Sequence, residues 1–485
     1  MKRSNQTVPL CSVGFMYLFH SCRIPKLVQD TFKLYDPTIH THVIVACRGH
    51  FFSIPMLDDQ GKEYSIAALE NALRECQVLA KQSPSMDLGF LTACPRDEGA
   101  SARHTMSLLP GMEKSLAALE SGMLLLCLDE ENLYSQQQRA RHYWHGNGTS
   151  NRWYDKSIQL IVSQNGSLGY VGEHSMMDGM PAVGLCQHLT RKTYRERLEV
   201  SASTGSASST VPLVQNIFEP VLRNLKTSER LKLEQSVSNA KSNFHSLVDS
   251  FDLHVQNFQG YGSHWIKKTA GYSPDAYVQM AIQVASYRLF GNQQVATYES
   301  SQVRPYRHGR TETTRTVSPA SHAFCVAMNG RYKSFGRRTA MIRSDEEKAT
   351  LRKLLQEAIS SHVQYSRLAS QAQGVDRHIF GLSMIAHEEG QPLPDLFLDP
   401  LHLRAKEWRI STSTLPGTAP GFGPVCEMGV GIGYDIRSHS CIFTVTSLKR
   451  HDWTELLCHF LEEALIEMKE LSTNDFDSTP TRSKL

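Results

Sequence analysis

Residues 169–181, GYVGEHSMMDGMP, hold the clearest set of groups that could do chemistry: His174, Asp178 four positions later, and Gly179 directly after. A strand that ends on a histidine, followed by a turn and an acid, makes a base site. Imidazole titrates near neutrality and can take a proton from a hydroxyl or a thiol. An acid close by can orient the ring or anchor the loop. The spacing alone is a weak signal, because His245/Asp249, His308/Glu312 and His451/Glu455 repeat it. The His245 pair falls in a helical stretch and reads as a surface pair. Context separates His174: a strand before it, Asp-Gly after it, and Met176 and Met177 between, which imply a packed, dry setting.

The elements that must position these groups follow from periodicity. His42–Cys47 (HVIVAC) is a β-branched run with polar flanks and reads as a buried strand. Residues 65–81 have helical apolar spacing. Residues 157–162 and 169–173 flank the turn Gln164-Asn165-Gly166-Ser167 and read as a hairpin. Further helices are expected over 227–251, 275–290, 344–372 and 452–471, and a strand in CIFTVTS (441–447). Ser273-Pro274 sets a cap with proline at the first helical position of the second of these helices. The Ser/Thr-rich stretch 201–210 reads as a linker, giving domains over 1–205 and 206–475 and a tail over 476–485. Strands and helices mix in both halves, so the class is α/β or α+β in two domains.

Composition bounds the function. Lys and Arg total 51 against 48 Asp and Glu, a formal charge of +3 over 485 residues, which excludes nucleic-acid binding by bulk charge. Hydrophobic residues are 40% and charged residues 20%, so a packed core rather than disorder is expected. Mean hydropathy is −0.34 and no apolar run reaches the length of a membrane span. The apolar stretch at 13–19 is short and lacks a cleavage site, so no signal peptide is expected. Eleven cysteines without a CxxC pair indicate reduced thiols and no metal site. The chain ends in Ser483-Lys484-Leu485, a peroxisomal address read by an import receptor. That address argues against glycosylation of the Asn5, Asn147 and Asn165 triplets.

Several ordered blocks resemble the carnitine/choline acyltransferase family. They are Asn151-Arg152-Trp153-Tyr154-Asp155-Lys156, the EHSMMDG segment, Ser273-Pro274-Asp275-Ala276 and Tyr298-Glu299-Ser300. Gly309-Arg310-Thr311-Glu312-Thr313, Asp376-Arg377-His378, Ser411-Thr412-Ser413 and Gly423-Pro424-Val425 follow in the same order. The likeness runs from about residue 8 to 470 and most resembles a peroxisomal carnitine O-acetyltransferase. It implies an α/β fold of two domains, each chloramphenicol-acetyltransferase-like, with an active-site tunnel at their interface. Coenzyme A and carnitine would be the substrates, with no permanently bound cofactor.

The resemblance also implies roles. His174 would be the general base for direct transfer without an acyl-enzyme, and Asp178 would support its loop or ring. Ser413 would donate to the tetrahedral oxyanion, a contact worth ~3 kcal/mol of barrier. The carnitine site would comprise Tyr298, Ser300, Thr311, Arg377 and Ser411, with Thr313 consistent with the same pocket. The guanidinium fork suits a carboxylate, which choline lacks. Lys267, Lys268, Ser273, Asp275 and Thr414 would meet coenzyme A.

The chain departs from the family pattern in several places. Asp178 replaces a frequent glutamate, Gly262-Ser263 stands where Gly-Lys is usual, and Thr414 replaces a frequent glutamine. The 415–422 segment is shortened and has no methionine to plug an acyl pocket. Acetyl is the favoured acyl group, with medium-chain transfer or an inactive acyl-CoA-binding paralogue as alternatives. Relatives extend further upstream. The expected outcome is therefore low soluble yield or low turnover, checked by measuring soluble monomer and acetyl transfer to carnitine.

Overall fold

The computed structural model describes residues 8–195, 208–329, 343–417 and 421–472. The C-terminal Ser483-Lys484-Leu485, most of the 201–210 stretch and part of 415–422 lie outside them. The chain divides into one unit over Ser12–Asp249 and another over Ser250–Leu485, the latter joined by the stretch ending at Cys11. The division falls at 249/250 and not at 205/206. The helix Thr227–Ser250 explains the difference: Leu233, Val237, Ala240, Phe244 and Val248 recur at helical spacing and join the core of the first unit.

In the first unit, β1 (Ser21–Ile24) and β2 (Thr31–Leu34) form a separate antiparallel pair. A six-stranded mixed sheet contains β3 (His42–Cys47), β4 (His50–Pro55), β5 (Leu125–Leu128), β6 (Ile158–Val162), β7 (Leu168–Gly172) and β8 (Gln215–Asn216). Their order is β7-β6-β5-β3-β4-β8, with β5 parallel to both β3 and β6. Successive residues of β3 serve opposite faces, as strand geometry demands. Ile44 and Ala46 join one apolar cluster, while Val45 and Cys47 pack with Ala72 and Cys76 of the helix Ile66–Leu79. That helix starts where the sequence indicates, with the Ser65 hydroxyl accepting from the Ala68 N–H.

The block 151–156 ties this unit together. Arg152 grips Asp129 with two bonds of 3.0 and 2.7 Å, and Asn151 donates to the same carboxylate at 2.7 Å. The Trp153 ring stacks on Phe218 and meets Phe51 edge-on. The Tyr154 N–H donates to Thr92 Oγ1, and Asp155 accepts from Arg23. Buried Lys156 donates to the carbonyls of Glu120 and Gly122, capping the helix Met112–Ser121.

The second unit holds β9 (Phe251–Phe258), β10 (Thr297–Gln302), β11 (Thr311–Thr314), β12 (Ile410–Thr414), β13 (Val430–Ile436) and β14 (Cys441–Leu448). Their order is β11-β10-β12-β13-β14-β9, with β12 parallel to β10 and β13. The helix Pro274–Leu289 is buried around its whole girth from Ala276 to Arg288. With Leu355 from Asp345–Ala369 and Leu461, Leu465 and Met468 from Thr454–Ser472, it covers the sheet face that carries Ile410, Val430 and Ile432. Both units are therefore mixed sheets flanked by helices, as the sequence implies. By contrast, the helices Asp376–Glu388, Asp395–Leu398 and Pro400–Lys406 contain no buried residue. Among the described residues no disulfide joins the cysteines. Among the described residues no helix is long and apolar enough to cross a membrane.

Burial lowers the Lys156 ammonium to about 8 from its ordinary 10.5. A folded value below the unfolded one means that the fold penalises the protonated form. The penalty is full below pH 8 and fades as the pH rises towards 10.5. Unfolding free energy from this group is expected to rise across that window, by on the order of 3 kcal/mol at most. Urea denaturation as a function of pH should show the rise flattened in Lys156→Met.

Candidate active site

In the first unit, β7 is the edge strand and ends at Gly172. The Glu173 N–H donates to Ser157 O at 3.0 Å, which holds the chain in line for one more residue. The Glu173 carboxylate then accepts from the Ser175 N–H, tightening the turn. His174 lies in that turn with its side chain 75% exposed, which corrects the dry setting inferred from the two methionines. Only Met177 is packed away, against Leu18 and Ile158. Asp178 Oδ1 is 3.8 Å from His174 Nδ1, within ion-pair range but outside hydrogen-bond range. The helix Gly179–Arg195 starts directly after.

The three similarly spaced pairs point elsewhere. His245 Nε2 meets Gly148 O at 2.9 Å and its ring lies edge-on to Phe90, so it is a packed residue and not half of a surface pair. His451 stacks on Trp453. His308 sits in a turn at positive φ, whereas Glu312 is buried on β11.

In the second unit, strand register gathers the residues assigned to carnitine. β10 and β12 align in parallel, Tyr298 beside Ser411 and Glu299 beside Thr412. β10 and β11 align Ser300 with Thr313 and Gln302 with Thr311. With a side-chain period of two, Tyr298, Ser300, Thr311, Thr313, Ser411 and Ser413 all project from one face. Ser411 and Thr313 are buried there, Ser413 is partly exposed and Ser300 is exposed. Next to Ser411 and Ser413 in register stand Gly431 and Gly433. A Cβ on Gly431 would lie 2.8 Å from Phe422 O, so the segment after Ser413 passes over a position where only glycine fits.

Arg377 completes one corner of this face. Its Nε donates to Thr311 O at 3.0 Å, and its Nη2 lies 3.3 Å from Tyr298 Oη and 3.5 Å from Thr311 Oγ1. The helix that carries it is anchored at its start. Glu312 Oε1 accepts the Arg377 N–H at 3.2 Å, and Asp376 is gripped by Arg315 at 2.9 and 2.6 Å. The Arg315 guanidinium lies over Trp408, whose ring meets Tyr298 edge-on at 5.7 Å. Trp408 is thus an aromatic face beside this corner that no sequence block identified.

The cation pair assigned to coenzyme A occupies a second place in this unit. Lys267 and Lys268 end the short helix Ser263–Lys268. With Ser263, His264, Tyr272, Ser273 and Ser438 they line an open cleft of about 690 Å³ whose nine lining residues include no acid. The helix docks on the turn at 437–440 through Ser263 N to Arg437 O and His264 N to Ser438 O. A Cβ on Gly262 would stand 2.2 Å from Arg437 O, which makes glycine obligatory there. Ser273 holds the cap position, but its hydroxyl makes no capping bond and instead lines the cleft.

Two residues assigned with the cleft do not line it. The Asp275 carboxylate turns inward and accepts from Tyr434 Oη at 2.7 Å. Thr414 alternates to the face opposite Ser413 and pairs in register with Tyr434. Two residues, about half a helical turn, separate the cleft-facing Ser273 from the core-facing Asp275, a difference that the Ser-Pro-Asp spelling does not reveal.

Comparison with known proteins places these features in context. A family model described as "Choline/Carnitine o-acyltransferase" matches residues 1–463. A carnitine O-acetyltransferase of Columba livia is 30% identical over 480 residues, covering 96% of this chain and 72% of the relative. A choline O-acetyltransferase of Sus scrofa is 31% identical, covering 96% and 71%. A mitochondrial carnitine O-palmitoyltransferase 2 of Macaca fascicularis is 31% identical, covering 95% and 66%.

The lysine cleft supplies its own test. Replacing Lys267 and Lys268 together by alanine is expected to weaken binding of inorganic pyrophosphate about tenfold at low salt, and less in 0.5 M KCl as screening sets in. Isothermal titration at two salt concentrations measures it.

Proposed function

We propose that this chain, which belongs to the choline/carnitine O-acyltransferase family, transfers a short acyl group reversibly between coenzyme A and carnitine. The observation that carries the reading is the corner at Arg377. A guanidinium held beside Tyr298 Oη and Thr311 Oγ1 offers convergent donors to a carboxylate. Carnitine has a carboxylate and choline does not. The Trp408 and Tyr298 rings nearby suit a trimethylammonium group.

In the proposed reaction His174 takes the proton from the carnitine 3-hydroxyl. The oxygen attacks the thioester carbonyl, and the Ser413 hydroxyl donates to the tetrahedral oxyanion. Collapse breaks the C–S bond, and the departing thiolate takes the proton back from the imidazolium. No acyl-enzyme forms. Lys267 and Lys268 bind coenzyme A phosphates, with Ser273 beside them. Ser300 and Ser411 border carnitine, and Asp178 supports the His174 turn.

Acetyl is the favoured acyl group; the absence of a methionine between Ser413 and Gly423 keeps a medium chain as the alternative. An inactive acyl-CoA-binding paralogue is the remaining reading. The terminal Ser483-Lys484-Leu485 would direct the enzyme to peroxisomes through the import receptor.

Assays with acetyl-coenzyme A are expected to give transfer to carnitine and little to choline. His174→Ala should lower kcat by about 10³-fold while coenzyme A still binds. Arg377→Gln should raise the carnitine KM about 100-fold and leave that of acetyl-coenzyme A near its original value. A preference for choline, or full turnover by His174→Ala, would sink the proposal. An acyl-coenzyme A series from two to sixteen carbons, roughly the range from acetate to palmitate, decides chain length.

A further inference from the structure

Behind the face that carries Tyr298, Ser300, Ser411 and Ser413 lies a buried polar network. Glu299 and Thr412 alternate with those residues and point the other way, into the core under the helix Pro274–Leu289. The Thr412 hydroxyl donates to Tyr298 O at 3.1 Å and accepts from Gln279 Nε2 at 3.0 Å. Glu299 Oε2 meets His362 Nε2 at 2.7 Å, and Thr316 Oγ1 spans Glu299 and Gln279 at 3.3 and 3.4 Å. Gln279 also reaches Tyr434 Oη, which donates to Asp275.

Apolar side chains would fill this space more cheaply. Ile410 and Ile432 do so immediately alongside, and a buried ion pair is weak evidence for stability. A network with defined bond directions does what an apolar core does less sharply: it fixes where two strands stand relative to each other. Burial and the adjacent Glu299 carboxylate act in opposition on His362, and the carboxylate prevails, raising the imidazole above its usual value.

We infer that Thr412, Gln279, Glu299 and His362 are positioning residues for acyl transfer. They set β10 against β12, and thereby the Tyr298 hydroxyl against the Ser411 and Ser413 hydroxyls. The inference rests on the carnitine-transfer reading above. All four are buried behind the face that carries Tyr298, Ser411 and Ser413. They act through the backbone, with Thr412 bonded directly to the peptide carbonyl of Tyr298.

Thr412→Val keeps the side chain's shape and removes both hydroxyl bonds, whereas Thr412→Ser restores the hydroxyl. The full chain is assayed for acetyl transfer to carnitine, and melting is recorded for each variant. Thr412→Val is expected to lose about 10- to 100-fold in kcat/KM for carnitine, the scale set by a sub-ångström misplacement. Its melting temperature should stay within about 5 °C of the wild type. Thr412→Ser should recover the rate to within about threefold. Wild-type kinetics in Thr412→Val, or failure of Thr412→Ser to recover, overturns the inference. If Thr412→Val does not fold, Glu299→Gln is expected to show the same kcat/KM loss, and unchanged kinetics there overturns it equally. Absence of transfer by the wild type overturns the carnitine reading and this inference together, whereas equal transfer by wild type and variants overturns this one alone.

Discussion

The parallel register of β10 and β12 is the constraint on which the second unit depends. Side chains on a strand alternate with a period of two, so a slip of one residue would exchange the two faces completely. The hydroxyls of Tyr298, Ser411 and Ser413 would turn into the core, and Glu299 and Thr412 would turn out of it. Two kinds of interaction oppose that slip. Apolar burial of Ile410 and Ile432 fixes which face is inside. The bond from Thr412 Oγ1 to Tyr298 O ties one strand directly to the other.

The first unit divides its labour differently. The block 151–156 carries some of the strongest family likeness, yet its side chains serve as braces. Asn151 and Arg152 hold Asp129, the Tyr154 N–H holds Thr92, and Lys156 holds the carbonyl end of the helix Met112–Ser121. His174, by contrast, has a loosely enclosed side chain on a well-fixed backbone. Of the two blocks in this unit that carry the family likeness, 151–156 braces the fold and the EHSMMDG segment carries the candidate base. A substitution in the brace would act on His174 through Ser157, which lies between Lys156 and β6 and whose carbonyl holds the Glu173 N–H.

Local signals were legible in the sequence, and directional ones were not. The helical spacing over 65–81, the hairpin around Asn165-Gly166 and the buried strand His42–Cys47 follow from side-chain chemistry within a few residues, and the fold places each where the pattern indicates. The gathering of Tyr298, Thr311 and Arg377 was reachable only through motif likeness, because it depends on pairing between strands and helix starts distant in the chain. The inward turn of Asp275 depends on Tyr434, 159 residues away. The division at 249/250 escaped because a helix of mostly polar composition hides five core positions among its charged ones. Trp408 lies outside every recognisable block and becomes visible only through Tyr298 and Arg315.

The helix Asp376–Glu388 holds Arg377 by its first turn alone. Glu312 and Arg315 grip that turn, while the rest of the helix contributes nothing to the core. Such a segment has a low free energy of local opening compared with the sheet beneath it. Heat would therefore release the guanidinium while the unit is still folded. The temperature at which ligand affinity collapses and the temperature at which the sheet melts are, in this architecture, two separate quantities.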